Sequence, residues 1–539
     1  MRNHILAIVC LASSILLSIP LYAHPLPAWA SAASFGGGGS DVGQAVKVDR
    51  DGNRYVTGSF STTAYFPARA GAQMDGDGHN QQPASARKAL MSAGGTDIFL
   101  AKYDRSGTLK WLIQAGGPGD DSSFDLAFDA AGNVYVTGWF AGSATFHGLN
   151  STAESVTGAG QTMFLAKYRP SGVLAWVQTG TTYDTVNQGE SVAVEPITGS
   201  IYVTGVTQGD TTFSSSNGTT HPVAGPETWH MVLVKYDTAG NFQWGQTNLA
   251  APNSIPHGVA VDADNNAYVT GWMEGETIFS SSDGNDLTVE GFSGPVQNFP
   301  DFPNDAFVVK YDENGIVKWV NHIGGYKAIG TSIATSRDGK VSVTGFIGNI
   351  ANSLPEQAAT IVTSQPGGNN INLGGGQFTN PYNKDVFFAT YDDEGVLLEA
   401  RRFGGTQDEG GTGIAYDRRG NLIVAGGFQD TIRIDGRTLT GKGSFNLFVA
   451  KFARDEGKCV PGNRTDEPQL NWIKGADGPF IMGGFEDGTR IGLTAQGDVL
   501  VTGGYQPTAR FDGFKLTSAG LDDAFLALLS VPDSKEDGR

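Results

Sequence analysis

Gly132-Asn-Val-Tyr-Val-Thr-Gly-Trp-Phe140 decides how the chain is read, because it is one of seven near-copies. Its β-branched and aromatic run, entered through a Gly-Asn turn, reads as a strand. The Val-Thr-Gly core, or a close variant, recurs centred on Thr57, Thr137, Thr204, Thr270, Thr344, Ala425 and Thr502. An Asp-x-x-Gly-Asn turn precedes it at 49–53, 129–133 and 417–421. Glycine there takes the positive φ of a tight hairpin, and the aspartate accepts backbone N–H groups. A Phe-Leu-Ala-Lys-Tyr segment follows at 99–103 and 164–168, with variants ending at Tyr236, Tyr311, Tyr391, Phe452 and Leu529. Several copies then run through a glycine turn into a tryptophan, at Trp111, Trp176, Trp244 and Trp319, with Trp472 following an insertion.

Each copy is therefore four strands, which in the first are A (44–48), B (54–60), C (98–103) and D (109–114). Four-stranded antiparallel sheets repeated around an axis make a propeller. The last copy stops after its C strand at 525–529, whereas the region before the first copy, Ala28-Trp29 through Phe35-Gly36-Gly37, reads as a D strand with no C strand ahead of it. The expected fold is all-β: a single seven-bladed β-propeller of four-stranded antiparallel blades, its ring closed by the N-terminal outer strand so that no edge is left open. The blades run 41–116, 120–180, 187–249, 255–324, 328–404, 410–475 and 485–530, the last completed by 28–35. The tryptophans read as packing between blades.

The string Gly-Asn-x-Tyr-Val-Thr-Gly-x-Phe, followed by Phe-Leu-Ala-Lys-Tyr-Asp and Trp, resembles the SBBP-type bacterial β-propeller repeat family, with 132–140 as its clearest copy. The resemblance extends over essentially all of the chain after its first residues and implies the fold. It implies a secreted or surface protein, and no particular chemistry. Ser342 and the 495–498 turn depart from the pattern and weaken single copies only.

Composition agrees. With 76 glycines among 539 residues and 17% charged residues, the chain suits a turn-rich β architecture. The net charge of −19 repels phosphate backbones, so nucleic acid is excluded as a partner. Arg2 and His4, the apolar run from Ile5 to Ile19 and the small residue Ala23 read as a signal peptide over 1–23, and no later run is long enough to span a membrane. The chain is thus expected to be exported, to the periplasm, the cell surface or beyond, as an acidic monomer. Cys10 falls within the signal, leaving Cys459 as a lone thiol and no disulfide framework.

Length varies almost wholly between strands B and C, most in 67–96, 280–304 and 349–384, which read as irregular loops crowding one face together with the D–A turns. Loops on a rigid frame carry function, so this face is the candidate binding face. Its D–A turns hold Asp41, Asp120, Asp121, Asp184, Asp408, Glu409 and Asp487 beside glycines, expected around the mouth of the axial channel. Clustered carboxylates could hold Ca²⁺ or act as acid and base, although a repeated acid also suits the capping of its own turn. Asp97, Asp305, Asp385 and Asp523 recur at the start of strand C and read as bonding backbone amides. His257 takes the place of Gln44 and Glu190 on an inner strand. No other cofactor is implied. The leading expectation is a non-enzymatic propeller that recognises an extracellular protein, glycan or surface ligand. The alternatives are a polysaccharide hydrolase or lyase using Asp121, Asp184 and Asp408, and an adhesive spacer with no discrete site.

Overall fold

The computed structural model describes residues 26–70, 87–182, 186–249, 253–291, 304–324, 326–348, 361–362, 371–372, 383–442, 444–453, 469–481 and 490–532. The expected signal peptide, Cys10, Cys459, Asp184 and Asp487 lie outside them. The described residues form antiparallel sheets with no helix, consistent with a propeller. Unit one is the meander Asp41–Val48, Arg54–Pro67, Arg87–Tyr103 and Leu109–Gly116. The same order repeats through Asp121–Phe128, Val134–His147, Ala153–Tyr168 and Leu174–Thr181 in unit two, and onward to Glu409–Tyr416, Leu422–Phe428, Asn446–Ala453 and Gln469–Ala476 in unit six. Each inner strand packs on the inner strand of the next unit, and Ile491–Leu493 of unit seven packs on Asp41–Val48 of unit one.

Among the described residues no outer strand of unit seven follows Asp523–Ser530. Ala28–Gly37 takes that place, pairing antiparallel with Asp523–Ser530 from Ala28↔Ser530 to Phe35↔Ala524. Phe35 is in register with Ala115 of unit one, since their partners Ala524 and Ile98 hold the same position on strand C. Trp29 is not in register with the other tryptophans. Ser31 stands opposite Leu528 where Trp111 stands opposite Lys102, and the Trp29 indole donates to the Gly475 carbonyl of unit six at 2.9 Å.

The B–C segments correct the expectation of irregular loops. Wherever they are described they form strands that add to the outer strand of the preceding unit. Phe213↔Gly180, Phe279↔Asn248, Phe146↔Ala115 and Tyr65↔Gly36 are such pairs, and Val362↔Ile323, Arg433↔Gly404 and Arg510↔Asp477 complete the series. An outer strand left bare would present a row of unpaired N–H and C=O groups. The signal was legible but weak: Phe66, Phe146, Phe213, Phe279, Ile434 and Phe511 each fall nine residues after a Val-Thr-Gly centre. All six are buried, filling the wedge that opens between units. Residues 71–86, 292–303, 349–360, 363–370 and 373–382 of the same segments lie outside the described residues.

The tryptophans do pack between units, and hydrogen-bond there. Trp319 Nε1 donates to the Asp393 carbonyl at 2.9 Å, and Lys310 Nζ donates to the same oxygen at 2.8 Å while lying over the Tyr268 ring. Trp244 with Lys235 on Glu313, and Trp111 with Lys102 on Pro170, repeat the clasp. Trp319→Phe keeps a smaller aromatic ring and loses the N–H, and is expected to lower stability by about 1–3 kcal/mol in urea unfolding. An unchanged midpoint would show that the lysine alone holds the carbonyl.

Candidate functional site

The D–A acids are built into junctions between units. Asp121 Oδ2 accepts the Gly117 N–H at 2.7 Å, and its Oδ1 accepts Ala141 N–H at 3.1 Å. Asp41 does the same with Gly37 at 2.8 Å and Ser61 at 3.2 Å, and Glu409 accepts Gly405 N–H at 2.9 Å. The local motif is Gly-Gly-x-x-x-acid, at 36–41, 116–121 and 404–409. Opposite each acid lies the first aspartate of the preceding unit's strand C. A Cβ on Gly116 would stand 2.6 Å from Asp97 Cγ and 2.8 Å from Asp121 Oδ2, so the turn at φ +151° accepts only glycine between two carboxyls. Asp523 and Asp41 flank Gly36, and Asp385 and Glu409 flank Gly404, in the same way.

Burial pushes Asp121 and Asp41 up to about 7, Asp523 to about 6 and Glu409 to about 9, with neighbouring carboxylates adding to the rise. Burial also raises Asp97 and Asp385. Asp97, Asp385 and Asp523 each hold a buried Oδ1 without a hydrogen-bond partner, while their Oδ2 atoms are occupied. Asp97 Oδ2 accepts Ala93 N–H at 3.1 Å and Gln114 Nε2 at 2.6 Å; Asp523 Oδ2 accepts Ala519 N–H at 3.1 Å; Asp385 Oδ2 meets Arg402 Nε at 2.6 Å. Asp305 has Ala328 where the others face an acid, and its carboxylate lies 3.3 Å from His322 Nδ1 instead.

Asp41, Asp121 and Glu409 are buried, and their hydrogen bonds stay within their own junctions. Asp120 is exposed and accepts Thr96 N–H at 3.0 Å, and Asp408 accepts Lys384 N–H at 3.1 Å, both tying the D–A turn to strand C. The register also places Asn187 and Phe480 at the Asp41 position of their units, so neither Asp184 nor Asp487 is equivalent to it. Among the described residues no group of three or more His, Cys, Asp or Glu side chains is arranged to hold a metal ion.

His257 does share its position with Gln44 and Glu190: each is the extra residue of a β-bulge on an inner strand. It is 3% exposed, and burial, then the charge of Arg490, lowers it to about 3. Its Nδ1 lies 4.0 Å from the Glu190 carboxylate, a contact of a neutral ring rather than an ion pair. Arg490 of unit seven donates to the His257 carbonyl of unit four at 3.2 Å. Beside that bond is a polar cavity of about 40 Å³ lined by inner-strand residues from every unit, Lys47, Asp125, Ser191, Gly258, Ser332, Gly413 and Arg490. The sequence signal for it was a broken period. Lys47 stands where the other units have Ala127, Ala193, Ala260, Ala334, Ala415 and Gly492.

This frame of short antiparallel units, docked inner strand on inner strand, is consistent with a β-propeller. Residues 110–139, from the outer strand of unit one into the second strand of unit two, match the SBBP beta-propeller repeat, bearing out the resemblance read from the sequence. An uncharacterized WD repeat-containing protein of Acanthamoeba polyphaga mimivirus is 25% identical over 470 residues, covering 77% of this chain and 33% of the relative. The chain thus spans about a third of that relative's length. Among solved structures, the extracellular domain of a hybrid two-component system of B. thetaiotaomicron aligns with 95% of this chain and 84% of its own at 10% identity, with a TM-score of 0.16. An extracellular domain of a one-component system of B. thetaiotaomicron aligns with 93% and 82% at 9% identity, with a TM-score of 0.14. Those scores are too low to relate the folds. Among the described residues no helix is long and apolar enough to cross a membrane.

Proposed function

We propose that the protein is an exported, monomeric, seven-bladed β-propeller that acts as a binding scaffold, presenting the rim of its B–C and D–A side to an extracellular protein, glycan or surface ligand. Ring closure is supported by the pairing of Ala28–Gly37 with Asp523–Ser530 and by the packing of the last inner strand on the first. One observation carries the binding reading, the inequality of the two ends. The A–B and C–D end is a series of short turns in which an aspartate accepts N–H groups two and four residues on, as Asp49, Asp129, Asp262 and Asp417 do. Apart from the stretch between Ala453 and Gln469 in unit six, the length variation lies at the other end, where Tyr65, Met91 and Trp229 are exposed. Exposed aromatic side chains supply contact area at little entropic cost. The hydrolytic alternative needs a free carboxylate pair, and Asp121 and Asp408 each hold a turn.

The test is native gel retardation of the secreted chain in soluble polysaccharides, with reducing-end release measured on the same panel. Retardation that Trp229→Ala and Tyr65→Ala weaken, without new reducing ends, is the expected outcome. New reducing ends that disappear in Asp121→Asn would replace the scaffold by the hydrolase.

A further inference from the structure

We propose that the axial cavity is a binding site for a small inorganic anion, held by Lys47, Arg490 and two backbone N–H groups. The inner strands are edge strands, so their N–H groups on the axial side have no strand to bond. The protein caps them by a rule. Asp125 Oδ2 of unit two accepts Val192 N–H of unit three at 3.3 Å, Ser191 Oγ of unit three accepts Val259 N–H of unit four at 3.2 Å, and Ser332 Oγ of unit five accepts Ile414 N–H of unit six at 3.3 Å. Each cap comes from the residue just after the bulge and reaches the next unit.

The other four units offer no acceptor there: they carry Ala45, Gly258, Gly413 and Arg490. Gly258 of unit four and Gly413 of unit six occupy the capping position and have no side chain to reach Ile333 and Ile491. A Cβ on Gly258 would stand 3.4 Å from Ile333 N, so a side chain there would meet that group. Both uncapped residues line the cavity. So do the two long cations, each at a position that most other units fill with small residues. Arg490 replaces Ala45, Gly258 or Gly413 and crosses to the His257 carbonyl with one nitrogen. Among the described residues, Lys47 has no hydrogen bond or ion pair.

Asp125 is the single carboxylate of the lining, and it is already covered: Oδ1 accepts Leu126 N–H at 2.9 Å, and Oδ2 accepts the Ser191 hydroxyl at 2.7 Å besides Val192. Of the other titratable groups nearby, the His257 ring is neutral and the Glu190 carboxylate lies beside it. What the lining leaves unspent is donors and positive charge, in a protein whose net charge is −19. A buried donor without an acceptor is costly, and a cavity of about 40 Å³ has room for a halide or a tetrahedral oxyanion. Periodicity explains the caps; it does not explain two glycines and two cations meeting in one cavity.

The experiment measures melting temperature of the intact chain at constant ionic strength, with sodium gluconate replaced stepwise by sodium chloride or sodium phosphate. A saturable rise of about 2–5 °C at 100 times Kd is expected for at least one of the two ions. Lys47→Ala, which restores the residue of five other units, and Gly258→Ser, which restores the cap of Ser191 and Ser332, should fold and lose that rise. No saturable rise in the wild type with either ion, or an equal rise in Lys47→Ala, overturns the proposal.

Discussion

Trp29→Ala is expected to lose about 3–5 kcal/mol. Trp29 is 4% exposed, stands edge-on to Phe511 at a centroid distance of 5.0 Å, and donates to Gly475. It therefore ties together three segments remote in sequence: the N-terminal strand, the hairpin of unit seven and the outer strand of unit six. Deleting 26–37 would go further, since it bares the edge of Asp523–Ser530 and removes Ala32, Ala33 and Phe35 from the core. Chemical unfolding followed by tryptophan-independent circular dichroism reads both. If the deletion melts with the wild type, the N-terminal strand does not complete unit seven.

Asp97→Asn is expected to stabilise the protein at pH 8 by about 1–3 kcal/mol. Asp97 Oδ1 is buried, has no partner and faces Asp121; an amide nitrogen in its place would donate to that carboxylate, while the retained oxygen keeps Ala93 and Gln114. Unit six already carries an amide, Asn446, at this position. The pH dependence has a definite sign. Asp121 and Asp41, raised to about 7, and Glu409, raised to about 9, keep protons in the folded protein that the unfolded chain releases near about 4. Their contribution is full below about pH 4 and is lost as pH rises, by about pH 7 for the aspartates and about 9 for the glutamate. Half-buried carboxylates such as Asp104, lowered by the Ser106 hydroxyl, act oppositely and only in acid. Stability should thus be greater at pH 5 than at pH 8, and the difference should shrink in Asp97→Asn. A variant less stable than wild type at pH 8 would show that the two carboxyls do not oppose each other.

The strands, the repeat and the pairing of Ala28–Gly37 with Asp523–Ser530 were legible because each follows from a period in the sequence: alternating β-branched residues, Asp-Gly turns and a D strand lacking its C strand. The Asp49, Asp129 and Asp417 turns read as hairpins and are hairpins, with the aspartate bonding N–H groups two and four residues on. The B–C segments were misread because their apolar signal is sparse: one wedge residue every nine after Val-Thr-Gly, set among Gly, Ser and Asn. A hairpin needs little apolar periodicity when the neighbouring unit's edge supplies its hydrogen bonds. The same gap hid the acid pairs. Asp97 and Asp121 are separated by a whole strand and two turns, and nothing local says that they share a glycine.

By itself the amino-acid sequence determined the unit, its four strands and the pairing of Ala28–Gly37 with Asp523–Ser530, because those depend on local turn chemistry and a repeated pattern. Only the tertiary structure decided which residues meet between units: which acids face one another, which outer strand each hairpin covers, and which inner-strand N–H groups go uncapped. Those outcomes depend on side chains from different units arriving at one place, and a period that describes every unit alike cannot mark the positions where one differs.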